Sequence, residues 1–187
     1  KPVSVLAHRR ELILQARDKL RAALPEGSQV AIEQGSESAA AGAKAVVASI
    51  RSLRTDRLKK LVEHYDFGLI IYDECHHAAA EDNLRVLNEL GCFEDDWTGT
   101  LLGVTATTKR GDGQGLDDVF QRIVYTLSLS EMIHDGYLVR LNGFRIATAA
   151  DLENVSCRSD DFAVEELAEA IDIESRNALV ARSIQDL

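Results

Sequence analysis

Apolar and polar positions along this chain follow two rhythms, and the switches between them mark the elements. Short apolar runs bounded by turn residues read as buried strands; apolar positions three to four apart read as one face of a helix. Val3–Ala7 is a run of the first kind. Residues 9–24 then predict a helix, with Leu12, Ala16, Leu20 and Ala23 spaced for one buried face and Pro25-Glu26-Gly27 as its stop. Residues 29–33 predict a short strand, 35–42 a small polar loop, and 45–50 a strand leading into a helix through Leu53, Leu58, Leu61 and Val62. A strand at 67–73, a helix at 80–90, a loop at 92–99 and a strand at 101–105 follow. Further on, 109–115 predicts a polar, Gly-rich loop, 117–120 one helical turn, 123–127 a strand, and 130–135 a short helix that Gly136 caps. Residues 138–147 read as extended, 149–161 as an acidic linker, and 162–171 and 174–187 as two helices. Strands alternating with helices imply a parallel sheet covered on both faces, with right-handed crossovers.

Composition narrows the class. The 187 residues are 45% hydrophobic, enough for a domain with a substantial core, and 2 Pro with 12 Gly argue against disorder or a fibrous repeat. No apolar stretch approaches the ~20 residues of a membrane span. No signal peptide is visible, and Lys1-Pro2 before Val3 reads as a start inside a fold. Cys75, Cys92 and Cys157 are odd in number and widely spaced, which suits a reducing, cytoplasmic compartment and gives no zinc pattern. Net charge is −10, yet the first 62 residues hold 12 Lys/Arg against 6 Asp/Glu. That basic third could meet a phosphate backbone, although on charge alone a set of solvated helix faces is the favoured reading.

The candidate chemistry lies where the apolar run Phe67-Gly68-Leu69-Ile70-Ile71-Tyr72 meets Asp73-Glu74-Cys75-His76. Such a strand delivers two adjacent carboxylates to its C-terminal end, where open α/β sheets bind ligands. Successive strand side chains point oppositely, so the chain must turn at Asp73 for both to reach one site. Cys75 follows two acids, lacks the electropositive setting of a reactive thiolate and reads as packed. Trp97 reads as a loop anchor rather than a base-stacking platform. Gly111-Asp112-Gly113-Gln114-Gly115 lacks the third Gly of a dinucleotide fingerprint, because Leu116 stands there.

The order of these segments resembles a superfamily 2 helicase of the DExH group, in the helicase/type III restriction subunit branch. Val5-Leu6-Ala7-His8-Arg9-Arg10-Glu11-Leu12 with Gln15 resembles motif Ia, and Ala45-Val46-Val47-Ala48-Ser49-Ile50-Arg51-Ser52-Leu53 the segment with motif Ic. Asp73-Glu74-Cys75-His76 is similar to motif II and Thr105-Ala106-Thr107 to motif III. The resemblance implies a three-layer RecA-like sheet, incomplete, over residues 1–148. Residues 149–187 would be a linker and a C-terminal helical extension toward a second RecA-like domain of the same parent.

It also implies an ATP-dependent motor on DNA or RNA, with DNA favoured. Asp73 would hold Mg²⁺ through water and Glu74 would polarise the attacking water. His76 would couple motif II to Thr105 or Thr107. His8 and Arg9, and Ser49 and Arg51, would contact the nucleic-acid backbone, which positions a strand without reading its sequence. Lys109-Arg110 would face nucleotide or nucleic acid.

The chain departs from that pattern: it contains no G-x-x-x-x-G-K-[ST], and motifs IV to VI with their arginine finger are expected after its end. It is therefore expected to be a fragment, inactive by itself, with an open sheet edge prone to self-association. Two other readings keep the residues but change the function. One is a non-catalytic module that binds nucleic acid or protein. The other is a metal-dependent phosphoesterase built on Asp73, Glu74 and His76, although His8, His64 and His134 show no H-x-x-x-H pairing to complete its ligand set.

Overall fold

In a computed structural model, five short apolar runs pair side by side in one sheet, and the central ones, apolar on both faces, are buried in the middle of a layered stack. The structure describes residues 1–107, 116–144, 155–158 and 161–185. The chain divides into two compact units, Lys1–Val124 and Tyr125–Leu187.

The first unit carries the sheet. Strands β1 (Val3–Ala7), β2 (Val30–Glu33), β3 (Ala45–Ser49), β4 (Leu69–Asp73) and β5 (Thr100–Val104) stand in the order β2-β3-β1-β4-β5. Every pairing is parallel, with Val5 opposite Val47 on one side and Ile71 on the other, and Asp73 opposite Val104. Parallel pairing sends all five C-terminal ends to one rim. Helix α1 (Arg10–Ala23) covers one face and buries Ile13 completely, with Leu12, Ala16 and Leu20 flanking it. Ala23, expected on that face, is exposed at the last position of the helix. Helices α2 (Thr55–His64) and α3 (Glu81–Glu89) cover the other face through Leu58, Leu61, Val86 and Leu87. Leu53 is buried ahead of α2 rather than within it, and Val62 faces outward at 41% exposure.

The 35–42 loop is tied down by Glu33, which is 3% exposed. Its carboxylate accepts from the Ala39 amide at 2.7 Å and from Ser38 Oγ at 3.2 Å, and meets Arg57 Nη1 of α2 at 3.2 Å. Tyr65 Oη adds a bond to the Ala40 carbonyl. On the 92–99 loop, Trp97 Nε1 donates to the Phe67 carbonyl at 3.0 Å, so this side chain is an anchor, as its sequence setting suggests.

Strand β5 alternates exposed and half-buried positions, leaving Leu102 37% and Val104 51% exposed. The strand expected at 123–127 does not form. Ile123 and Val124 stand 65% and 66% exposed in irregular backbone, an apolar run without a ladder to join among the described residues.

The second unit begins with α4 (Leu129–His134), closed by a capping box in which Ser128 and Glu131 exchange side-chain-to-backbone bonds. Gly136 follows at φ +79°, the left-handed turn that glycine was expected to supply. Residues 138–144 hold no regular element, and 145–147 lie outside the described residues. Part of the expected linker is a two-stranded antiparallel pair, β6 (Cys157–Arg158) with β7 (Asp161–Phe162). Helices α5 (Val164–Ile171) and α6 (Glu174–Gln185) follow, close to expectation. The boundary expected at 148/149 lies outside the described residues. No helix among the described residues is long and apolar enough to cross a membrane.

Candidate functional site

Strand β4 ends at Asp73, and the next residue reverses the backbone. Glu74 sits at φ 55°, ψ 48°, the single non-glycine residue at positive φ among the described residues. A left-handed conformation costs an L-residue with a Cβ about 1–2 kcal/mol, so the surrounding structure must hold it. The reversal falls one residue later than the sequence suggested, at Glu74 rather than Asp73. It brings both carboxylates to the same rim. Asp73 Oδ1 accepts the Glu74 amide at 3.0 Å, and a 3₁₀ turn, Cys75–His77, follows at once. Cys75 is 3% exposed beneath that turn. Asn83, in the first turn of α3, donates through Nδ2 to the His77 carbonyl at 2.8 Å and pins the turn from its far side.

His76 occupies a node between two strand ends. Its Nδ1 lies 2.9 Å from Thr105 Oγ1 and 3.3 Å from Glu74 Oε2. Thr105 Oγ1 also donates to the Thr107 carbonyl at 2.9 Å and accepts the Thr107 amide at 3.1 Å. The threonine hydroxyl proton is thus committed to Thr107, and a carboxylate can only accept. Both neighbours of Nδ1 are acceptors, so Nδ1 is the nitrogen that carries a hydrogen. The side chain expected to bridge Asp73-Glu74-Cys75-His76 and Thr105-Ala106-Thr107 stands between them, within reach of both.

A cleft of about 560 Å³ opens at the C-terminal rim. It is lined by His8 and Arg9 after β1, Arg51 after β3, Asp73 at the end of β4 and Glu74 after it, and His77 and Asn83 beyond them. Five of the expected site residues (His8, Arg9, Arg51, Asp73 and Glu74) therefore share one cavity. Ser49 does not line it; the last residue of β3, it is 3% exposed, and the 3₁₀ turn Ile50–Ser52 presents Arg51 instead. His76, Thr105 and Thr107 also lie off the cavity wall, connected to it through Glu74. His77 and Asn83 were not singled out for the cleft from sequence. Adjacency to His76 is the only signal His77 carried, and a polar residue in a first helical turn carries none. Lys109 and Arg110 lie outside the described residues.

Cys75 and Cys92 lack the lowered pKa of reactive thiols. Burial raises the Cys75 thiol above its ordinary value, with Glu74 and Asp73 adding to the effect, and pushes Cys92 up to about 12. Among the described residues no group of three or more His, Cys, Asp and Glu side chains is placed to hold a metal ion. What the rim does offer is the carboxylate of Asp73, an oxygen donor of the kind that suits Mg²⁺. That ion is commonly held by one or two carboxylates, with water and phosphate oxygens completing its octahedron.

Residues 1–110 match the family described as "Type III restriction enzyme, res subunit". Among individual proteins, the chain is 38% identical over 148 residues to a Schizosaccharomyces pombe protein named as the mitochondrial ATP-dependent helicase irc3. That alignment takes in 79% of this chain and 24% of the relative. It is 31% identical over 180 residues to the Saccharomyces cerevisiae protein named as the ATP-dependent helicase IRC3, covering 96% of this chain and 26% of that one. An Escherichia coli type I restriction enzyme EcoAI endonuclease subunit is 34% identical over 87 residues, 46% of this chain and 10% of the relative. The chain thus spans about a quarter of the length of the two helicases it matches.

Proposed function

This chain belongs to the type III restriction enzyme res-subunit family, and on that premise we propose that it forms the first RecA-like domain of a superfamily 2 motor that moves on nucleic acid by hydrolysing ATP. The observation that carries the reading is the rim itself. Two carboxylates at the end of β4 open into the same cleft as Arg9 and Arg51, while His76 ties the segment after β4 to Thr105. A nucleotide-side pair and a backbone-side pair within one cavity is the arrangement a motor needs if hydrolysis is to alter its grip on a strand.

In this reading Asp73 would hold Mg²⁺, and the ion when bound would supply charge neutralisation for the phosphates of ATP. Glu74 orients the water that attacks the terminal phosphate, and its contact with His76 Nδ1 fixes where that carboxylate points. Arg9, with His8, and Arg51 hold phosphates of the strand, DNA in preference to RNA. Ser49 contributes through its backbone position, because its side chain is buried. A second RecA-like domain completes the motor. The odd number of cysteines favours a reducing cytoplasmic setting, and fractionation of cells would separate that from the mitochondrial setting in the name of the fission-yeast relative.

Two measurements test this. The 187-residue polypeptide has no Gly-rich Lys-Ser/Thr loop to cradle the β- and γ-phosphates, so no ATP-dependent phosphate release is expected from it. Release above the Glu74→Gln background would contradict the expected inactivity of the 187 residues, while supporting the role given to Glu74. The same polypeptide is expected to bind single-stranded oligonucleotides of different sequence alike. Arg51→Ala should weaken all of them similarly and lower the slope of log K against log salt by about 1. An unchanged salt slope would remove Arg51 from the backbone contact.

A further inference from the structure

The cationic side of the cleft and the Thr105–Thr107 turn are joined by a row of rings. His8, beside Arg9 at the end of β1, meets His77 edge to face, with centroids 6.3 Å apart and planes at 82°. His77 lies against His76, with centroids 4.0 Å apart and planes at 46°. His76 Nδ1 then reaches Thr105 Oγ1 at 2.9 Å, and Thr105 closes on Thr107. The backbone between the two strand ends is stiffer. Between β1 and β4 runs a parallel ladder that pairs Leu6 with Tyr72, both buried, and a packed ladder does not yield to a small pull at its end.

His77 is the middle ring of this row. Its backbone carbonyl is pinned by Asn83, yet the residue is exposed and its ring lines the cleft between the two other histidines. A phosphate drawn in by Arg9 acts on the residue adjacent to His8. Movement of His8 alters the edge it presents to His77, and His77 passes the change to the ring whose Nδ1–H holds Thr105. The row is a continuous set of contacts from His8 to Thr105, one kind of physical connection that carries coupling between sites.

We propose that His77 is a positioning residue that transmits occupancy of the strand-binding side of the cleft to Thr105 and Thr107 through His76. This rests on the nucleic-acid reading above.

The test is an NMR titration of the 187-residue protein with a saturating single-stranded oligothymidylate. In the wild type the amide signals of Arg9, Arg51, Thr105 and Thr107 shift. In His77→Ala those of Arg9 and Arg51 still shift, those of Thr105 and Thr107 no longer do, and His77→Phe, which restores a ring, recovers them. Where the alanine variant folds poorly, His77→Leu fills the space without a ring and must show the same loss. Thr105 and Thr107 shifting in a ringless variant as they do in the wild type overturns the proposal. So does a wild type in which Arg9 and Arg51 respond and Thr105 and Thr107 do not. A wild type silent at Arg9 and Arg51 refutes the nucleic-acid reading itself, and the inference falls with it.

Discussion

At the scale of single residues, the centre of the sheet contains a polar group that does nothing for it. Ser4 is fully buried in β1, and its Oγ has no hydrogen-bond partner. An unsatisfied buried hydroxyl costs about 1–3 kcal/mol, so Ser4→Ala is expected to stabilise the fold by about 1 kcal/mol in urea unfolding. The thiol of Cys92 gives a pH prediction. Its ordinary value of 9.0 is pushed up to about 12 by burial, so the folded state favours the neutral form. Stability from this group is complete below pH 9, where the thiol is neutral in both states. It declines as pH rises from 9 toward 12, because the unfolded chain ionises first. Cys92→Ala should flatten that alkaline decline, read as the melting temperature across the interval. Glu131 works in the opposite direction. Its bonds to Ser128 hold its carboxyl below the ordinary 4.5, so the capping box of α4 is intact above that value and loosens as pH falls through the lowered one.

At the scale of elements, β5 and the 3₁₀ turn after β4 are fitted together through a glycine. A Cβ on Gly103 would lie 2.6 Å from Phe120 Cζ and 2.7 Å from Cys75 Sγ. Gly103→Ala is therefore expected to cost about 1–3 kcal/mol of stability by overpacking, and to push the turn that carries His76 off Thr105. Loss of the Thr105–His76 bond, read from the imidazole ¹⁵N signals, checks the second effect. The strands and helices of the first unit were legible because their apolar periods are unambiguous: 3–7, 45–49 and 69–73 are dense in β-branched residues, and α2 repeats Leu58 and Leu61 on one side. The acids of the site were legible because they end such a run. The ion pair of Glu33 with Arg57 was not, since it joins residues 24 positions apart and neither carries a local signal. The run at 123–127 misled for the converse reason. It has a strand's composition, but a strand also needs a neighbour to pair with, and composition does not report one.

At the scale of the whole molecule, the strand order leaves β5 at an edge of the sheet with Leu102 and Val104 partly bare, and Ile123 and Val124 are bare as well. Unpaired strand edges beside exposed apolar side chains invite association. The 187-residue protein is expected to self-associate as its concentration rises in light scattering, and Val104→Lys should suppress this; a strictly monomeric wild type at high concentration would contradict it. The parallel pairing has a further, practical consequence. Since each strand points its carboxyl end at the cleft, the returns from helix to strand at 25–29, 65–68 and 92–99 emerge at the opposite pole. A surface tether, affinity handle or dye grafted at Gly27 would hold the first unit by the end of its sheet remote from the cleft. Single-molecule work could then immobilise that unit without an attachment at the rim that carries Asp73 and Glu74.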